Sequence, residues 1–238
     1  MNHSEKVIII DDTLISHAFI SEIDEAKNHY DVRSIYTKEM GHSLALTVDK
    51  HLLQLAVLGA RASATITGGS GGSSITDADA DTSMASLVDS IFEGAEDMDN
   101  ANVPEDGRYC VVSPDIYYEL VQTDKLLNRD FQNPNGDYGQ GTIINVAGIK
   151  IIKSNSATAS FTDLSGASTT GHSNTYVGDF SNTVAVMFQK QGVGTVKLRD
   201  LAIEQSYDPR RLGTLMVAKM LLGSNYLRPE ACVEIKTA

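Results

Sequence analysis

Residues 21–59, with the sequence SEIDEAKNHYDVRSIYTKEMGHSLALTVDKHLLQLAVLG, carry the strongest structural signal in the chain. The interior of this stretch contains no proline and a single glycine, Gly41, and its apolar residues recur largely at helical spacing. Ser21 followed by Asp24 resembles a capping box in which Asp replaces the usual Glu, and Gly59 is a suitable helix stop. The segment predicts one helix of about 35 residues, a rod of roughly 50 Å at ~1.5 Å per residue.

Charge is distributed unevenly along this helix, because its first half is rich in charged residues and its second half is mainly apolar. A helix with one polar half does not fit inside a single core. We expect it to lie along a surface that another element or another subunit covers.

The rest of the chain mixes strand and helix signals, which predicts an α+β fold. The expected elements are a buried strand at 6–10, a mobile Gly-, Ser- and Asp-rich loop at 67–83, a helix at 84–99, a strand at 109–112, a helix starting at 113–115, and strands at 149–152, 183–188, 193–206 and 231–235. The apolar phase slips between Leu198 and Leu201, which predicts a β-bulge near Asp200. The loop at 67–83 is also the strongest candidate for a domain boundary.

Composition sets limits on function. The chain has 238 residues, 42% hydrophobic and 21% charged, which is sufficient for a folded core. Lys plus Arg number 19 against 31 Asp plus Glu, a net charge of −12. This balance argues against a dedicated nucleic-acid binder and against a protein of anionic membranes. The two cysteines, Cys110 and Cys232, are distant in sequence and indicate a reducing compartment without a disulfide framework.

Two segments resemble known functional motifs, but the residues around them do not meet the requirements of those motifs. Residues 68–72, GGSGG, match the Gly-x-Ser-x-Gly elbow, but a helix precedes them and a flexible tract surrounds them. Residues 77–81, DADAD, resemble the start of a calcium loop, but Thr82 and Val88 stand where that loop requires Gly and Glu. The six histidines show no metal-binding spacing. We therefore predict no catalytic residues, no metal, no cofactor and no enzymatic activity.

Three stretches of the chain are similar to one known family. They are EAKNHYDVRS at 25–34 with YT at 36–37, GVGTVKLRDLA at 192–202, and Gly223 with LRPEA at 227–231. Together with EKVI at 5–8, they resemble the major capsid protein of short-tailed, T-seven-like podoviruses. Order and spacing match at both ends of the chain, and the middle, about 65–185, is loosely similar.

This resemblance implies a Hong Kong-97-like capsid fold, with a long spine helix, a peripheral (P) domain sheet and an axial (A) domain. Mapped onto this sequence, residues 1–20 are the return strand of an extended loop, and the family's N-terminal arm and outgoing strand are missing before it. Residues 21–64 are the P-domain spine helix, 65–189 the A-domain, and 190–238 the returning P-domain strands.

The function implied by the resemblance is that of a major capsid protein, a self-assembling structural subunit of the icosahedral head that encloses the double-stranded DNA of a tailed phage. Such a protein is located in the virion and assembles in the host cytoplasm. The implied partners are copies of itself in pentamers and hexamers, a scaffolding protein, a portal, a decoration protein, and packaged DNA held without sequence-specific binding; no membrane is involved. The alternative is an encapsulin-like cellular shell around a cargo enzyme.

Candidate interface residues lie in the polar half of the spine and in the charged parts of the last strands. They are Asn28, His29, Tyr30, Arg33, Lys197, Arg199, Asp200, Arg228 and Glu230. Their alternating signs suit ion pairs between subunits, which select register and partner more than they add affinity. The alternative is pairing within one subunit, where exposed pairs contribute little. The sequence leaves both possibilities open.

Overall fold

The structure is a computed structural model that describes residues 5–10, 12–27, 31–123, 136–137, 142–143, 145–156, 176 and 178–238. Its elements in chain order are β1 (Asp12–Ser21), α1 (Glu22–Lys27), α2 (Val32–Ala60), β2 (Ser73–Thr76), α3 (Met84–Asn100), β3 (Arg108–Val112), α4 (Pro114–Val121), β4 (Gly136–Asp137), β5 (Thr142–Ile143), β6 (Asn145–Val146), β7 (Ile149–Lys153), β8 (Thr183–Gln189), β9 (Val193–Asp208), β10 (Gly213–Tyr226) and β11 (Cys232–Lys236).

A three-stranded antiparallel sheet, in the order β1-β10-β9, carries α2 on one face. Along β1, alternate side chains point toward the helix, and Ile20 packs with Met40 and Leu44 of α2 and with Met216 and Ala218 of β10. This alternation is the pattern of a strand buried on one side only. The opposite face of the sheet has no covering element among the described residues.

Two register shifts interrupt the pairing of β9 with β10. The partners across the shifts are Lys219 with Ala202, Leu221 with Arg199, and Leu222 with Lys197. Asp200 and Leu201 therefore lie opposite Met220 alone, so the predicted bulge near Asp200 is confirmed. A second extra residue, Leu198, follows within the same stretch.

A six-stranded mixed sheet, in the order β2-β11-β8-β3-β7-β6, forms the second layer with α3 and α4. The apolar face of α3, with Leu87, Ile91 and Met98, packs on this sheet against Met187 and Val233 in the largest hydrophobic cluster. β11, at the end of the chain, pairs with β2 and β8 rather than with β9 or β10. The helices predicted at 84–99 and after Ser113 are confirmed, each with its serine accepting a cap hydrogen bond.

The prediction of one rod over 21–59 is wrong. The helix is divided into α1 and α2, and α2 starts after Asp31, whose side chain accepts a hydrogen bond from Ser34 N at 3.3 Å. Aspartate at this position satisfies a free N–H group at the start of a helix, and so it favours a new start over continuation. The predicted cap at Ser21 is confirmed, because its Oγ accepts from Asp24 N at 3.2 Å.

The prediction of a strand at 6–10 is also wrong, since the strand lies at β1. Residues 5–10 lie beside the end of β10 without a regular ladder, and Asn225 Nδ2 donates to Val7 O at 3.1 Å. A Cβ atom on Gly223 would lie 2.2 Å from Ile9 O, so glycine allows this close approach. The consecutive β-branched residues suggested a fully buried strand, whereas the weaker alternating pattern that follows them fits the one-sided burial of β1.

The tract at 67–83 is not a mobile loop throughout, which corrects the expectation. It contains β2, which pairs in parallel with β11, and Ala80 is fully buried. A Cβ on Gly72 would lie 2.3 Å from Gly59 O and 2.4 Å from Ala60 O. Glycine is required here because the chain passes directly against the last turn of α2.

We predict that Gly72→Ala lowers the free energy of unfolding by about 1–3 kcal/mol, the usual range for overpacking. The methyl group would meet two backbone carbonyls that cannot move aside without shifting α2. Chemical denaturation of the dissociated subunit measures the change. Ser70→Ala, at an exposed position in the same tract, is the control and is expected to stay within about 0.5 kcal/mol of wild type. Equal stability of both variants would mean that the tract is as loose as its composition suggests.

An ion pair between Arg61 and Glu234 joins the end of α2 to the six-stranded sheet. Glu234 lies in β11 and is fully buried. Arg61 donates from Nε to Glu234 Oε2 at 2.7 Å and from Nη2 to Oε1, and its Nη1 donates to Asp179 O at 2.6 Å. Thr183 Oγ1 and Ser74 Oγ also donate to the carboxylate, at 2.6 Å and 3.2 Å. The hydrogen bond to Glu234 raises the pKa of Arg61, so the guanidinium stays charged.

We predict that Arg61→Met lowers the free energy of unfolding by about 3–5 kcal/mol, because it leaves the Glu234 carboxylate buried without its counter-charge. The measurement is urea denaturation of the dissociated subunit. The matched control is Lys190→Met, which removes a pair with Asp106 whose side chains are 60% and 91% exposed. We expect that control to change stability by under about 1 kcal/mol. Similar small losses in both variants would contradict a stabilising role for the buried pair.

Candidate functional site: the subunit interface

The structure places the predicted interface residues in separate parts of the molecule. Asn28, His29 and Tyr30 lie outside the described residues. Arg33 lies in the first turn of α2, at the end of the helix away from the six-stranded sheet. The remaining candidates lie on β9 and in the segment between β10 and β11.

Arg33 is engaged within its own subunit. Its Nε lies 2.6 Å from Glu25 Oε1, and its Nη2 donates to Glu25 Oε2 at 2.9 Å. This two-point contact joins α1 to α2 across the break and raises the pKa of Arg33. Both side chains remain more than a third exposed, so the contact contributes little energy and mainly sets the orientation of α1.

Arg228 and Glu230 pair with each other as well. The Nε of Arg228 donates to Glu230 Oε1 at 3.0 Å, and its Nη1 donates to Gln191 Oε1 at 3.2 Å. These contacts hold the turn before β11 against the residues that lead into β9. The sequence left open whether these charged residues pair within one subunit or between subunits. For Arg228, Glu230 and Arg33, the structure shows pairing within the subunit.

The charged residues of β9 are different, because they point into solvent. Lys197 and Asp200 approach only to 3.8 Å, and their side chains are 57% and 88% exposed. Arg199 is exposed and has no ion-pair partner within the described ranges. Of the predicted residues that the structure describes, these three remain available for contacts with another molecule.

Two of these residues, Arg199 and Asp200, line a groove of about 330 Å³ on the face of the three-stranded sheet opposite α2. It is lined by Thr13, Leu198, Arg199, Asp200, Ala202, Glu204, Lys219, Met220 and Leu221. Lys219 on β10 pairs with Glu204 on β9 inside it. The groove combines apolar walls with charges of both signs. This composition is more typical of a site that binds another protein than of a site that binds a small ligand.

Sequence reasoning missed the exposed apolar residues of this sheet. Leu198 is 64% exposed, Leu201 46% and Val196 43%, all on β9, and Ile15 on β1 is 58% exposed. β9 is also a strand of 16 residues at the edge of the sheet, and no other described strand pairs with its outer side; proteins usually protect such edges. The sequence did contain a sign of this exposure, because apolar residues occur at both alternating sets of positions along β9. A strand covered on one face can bury only one of those sets.

The discounted motifs have structural roles. Asp77 accepts hydrogen bonds from Ser86 Oγ at 2.6 Å and Ser90 Oγ at 3.0 Å, and these bonds lower the pKa of Asp77. Its carboxylate thereby fixes the turn that precedes α3. Ser70 borders a pocket of about 240 Å³ whose described lining residues include no histidine. Within the described residues, no group of three or more His, Cys, Asp or Glu side chains is arranged to hold a metal ion.

No helix in the described part of the chain combines the length and the apolar character needed to cross a membrane.

Both cysteines are buried and free. Burial raises the pKa of Cys110 to about 12 and that of Cys232 to about 12. The reactive thiolate is therefore almost absent at neutral pH, which agrees with the interpretation of Cys110 as a small core residue.

We predict that neither thiol of the folded protein reacts with Ellman's reagent at pH 8, and that both react after denaturation. Burial excludes the reagent, and the raised pKa values leave the thiols protonated. Absorbance of the released thiolate counts the reactive groups in the two states. A rapid reaction of either thiol in the native protein would show that the packing around β3 or β11 is wrong.

The fold and the exposed sheet together define a class of protein. A helix lying on a long antiparallel sheet, joined to a second mixed sheet, is the architecture of Hong Kong-97-like capsid subunits. The capsid protein of the cyanophage P-SCSP1u superposes with a TM-score of 0.89 at 39% identity, covering 100% of this chain and 75% of that one. The bacteriophage PhiM1 capsid shares the fold, with a TM-score of 0.76 at 21% identity over 96% of this chain and 72% of that one.

Sequence comparison leads to the same class. The model of the Gp10A-like major capsid protein family matches residues 1–236. The major capsid protein of Escherichia phage T7 is 30% identical over 251 residues, covering 97% of this chain and 72% of that protein. This chain belongs to the Gp10A-like family of phage major capsid proteins.

Family membership confirms several predictions. The chain is a structural component of the virion capsid and not an enzyme. Proteins of this class associate with copies of themselves in shells. The prediction of a T-seven-like phage capsid protein is therefore confirmed, and the alternative of an encapsulin-like cellular shell is set aside.

Proposed function

We propose that copies of this chain assemble into the pentamers and hexamers of an icosahedral shell that encloses the double-stranded DNA of a tailed phage. The observation that carries this proposal is the match of the whole chain to the capsid subunit of the cyanophage P-SCSP1u. Assembly takes place in the host cytoplasm with a scaffolding protein, a portal and a decoration protein as further partners.

The division into domains is part of this proposal. The P-domain consists of β1, α1, α2, β9 and β10, and the A-domain consists of the six-stranded sheet with α3 and α4. Sheet membership supports moving β11 from the P-domain segment 190–238 to the A-domain, because β11 pairs with β2 and β8. The Arg61–Glu234 pair then lies at the junction of the two domains.

Charge distribution supports the role of a container for DNA. Residues 61–123, which form much of the proposed A-domain, hold twelve acidic and two basic residues. Both of those arginines, Arg61 and Arg108, are engaged in ion pairs within the subunit. A surface of this kind repels phosphate groups, so packaged DNA is enclosed without being held tightly.

The groove face of β9 is the interface that we propose for contacts between subunits. Leu198 supplies an exposed apolar anchor, and Arg199 beside it supplies an exposed positive charge that no described acidic residue pairs with. Burial of such a pair against a neighbour removes apolar surface from water and fixes the register through the charge. Arg33, Arg228 and Glu230 contribute indirectly, because their internal pairs orient α1 and the turn before β11.

We predict that Leu198→Asp raises the concentration needed for assembly by about tenfold or more, equivalent to roughly 1.4 kcal/mol per subunit. The aspartate adds a charge to a contact that excludes water, while the fold tolerates the change because Leu198 is 64% exposed in the free subunit. Light scattering and sedimentation against protein concentration measure assembly, and thermal unfolding of the dissociated subunit verifies the fold.

The matched control is Ile66→Asp, at a residue that is 43% exposed but lies far from β9 in sequence and outside the groove. We expect it to assemble like wild type. Normal assembly of Leu198→Asp would contradict the β9 interface, and a wild-type chain that never forms particles would contradict the shell function itself.

A further inference from the structure

The turn between β9 and β10 contains a bulky residue in an unfavourable backbone conformation. Leu212 has a φ of +50°, in the left-handed region that disfavours residues with a Cβ and that usually holds glycine. Leu212 is also 58% exposed, so its side chain gains little from packing within the subunit. A strained, exposed leucine is a reason to look for a function that lies outside the subunit.

Local hydrogen bonds hold this conformation in place. Arg211 N donates to Asp208 O at 3.2 Å, and Arg210 N donates to Asp208 Oδ1 at 3.0 Å. The carbonyl of Leu212 accepts from Glu22 N at 3.0 Å, which ties the turn to the start of α1. The leucine side chain is therefore presented from a fixed turn and not from a loose loop.

Other exposed apolar side chains lie at the same end of the three-stranded sheet. Ile23 is 61% exposed, Tyr207 54% and Phe19 38%. Tyr207 OH donates to Glu22 Oε2 at 3.3 Å, which places the ring beside α1. We call this end of the sheet the tip; it consists of Phe19, Glu22, Ile23, Asp24 and residues 207–212.

The tip carries charges of both signs next to its apolar residues. Arg210 has no side-chain ion-pair partner in the part of the chain that the structure describes, and Arg211 reaches Asp208 only at 3.9 Å with 74% of its side chain exposed. Glu22 and Asp24 lie exposed on α1 nearby. A surface with both signs and an apolar centre is complementary to a rotated copy of itself.

We propose that the tip is a contact between copies of this chain, in which the arginine pair of one copy lies against the acidic first turn of α1 in the next, around Leu212 and Ile23. This inference rests on the proposed shell function and names one of its contact surfaces, distinct from the β9 groove. Head-to-tail contacts of this kind close into rings when the rotation between copies permits. Each contact is small, and a shell multiplies it over many subunits.

Leu212→Gly separates the stability of the fold from assembly. Glycine relieves the backbone strain and removes the apolar side chain, so the dissociated subunit is expected to unfold at the same or a higher temperature. The concentration needed for assembly is expected to rise about tenfold or more. The control for the backbone change is Ala147→Gly, which also places glycine at a left-handed position, in the turn between β6 and β7, but removes only a methyl group; it is expected to assemble normally. Assembly of Leu212→Gly at the wild-type concentration would overturn the inference.

A charge exchange tests the pairing directly. Arg210→Glu and Glu22→Arg are each expected to weaken assembly several-fold, and the double variant is expected to recover most of the loss, as a double-mutant cycle requires for interacting groups. Lys150→Glu, at an exposed lysine of β7, controls for the change in net charge. Additive losses in the double variant would overturn the charge pairing.

The two levels of the proposal fail in different ways. If wild type assembles and the tip variants assemble equally well, the tip contact is wrong and the shell function stands. If wild type remains monomeric at every concentration while its fold is intact, the shell function is wrong and the tip contact is overturned with it.

Discussion

The pairing of Arg61 with the buried carboxylate of Glu234 joins the two layers of the subunit. It fixes the C-terminal end of α2 to β11, the strand between β2 and β8 in the six-stranded sheet. An ion pair with this degree of burial does not favour folding by its charge alone, because removing both groups from water is costly. We infer that its value lies in specificity, because Arg61 reaches this carboxylate, which also accepts from Thr183 and Ser74, only when the helix end lies beside β11. The angle between the helix and the second sheet is thereby defined, and a subunit that tiles with copies of itself needs one defined shape.

Within the subunit, described elements cover only one face of the three-stranded sheet. α2 covers the side of Ile20 and Met216, while no described residue forms a layer over the opposite face or pairs with the outer edge of β9. Exposed leucines on a long edge strand are unusual in a protein that functions alone, because such edges pair with other chains. In a capsid subunit the same features are consistent with a surface that is completed by neighbouring subunits. In the function that we propose, the acidic character of residues 61–123 has the opposite role, since like charges would repel the phosphates of packaged DNA.

Much of the fold could be predicted from the sequence, and the failures have physical causes. Capping residues and one-sided apolar patterns located α3, α4 and the bulge near Asp200, because these signals are local. The break before α2 was missed, since a continuous helical pattern conceals the preference of Asp31 for a cap position. The Gly-rich composition of 67–83 predicts a flexible loop, whereas Gly72 is glycine because α2 approaches it closely, and no local pattern reports such a contact. The Arg61–Glu234 pair, 173 residues apart, could not be predicted for the same reason. Sequence similarity indicated that the functional surface is an interface between subunits. The charge pattern alone could not distinguish residues paired within the subunit, such as Arg33 with Glu25, from Arg199, which pairs with no described residue.

Cryo-electron microscopy of particles formed by the purified chain would show how the subunits meet. We expect closed shells in which each subunit keeps the helix-to-sheet junction at Arg61 and buries the groove face of β9 and the tip at Leu212 against neighbouring copies. Shells in which both surfaces remain open to solvent would contradict the assignment of these surfaces. The absence of this polypeptide from the wall of any particle would contradict the account as a whole.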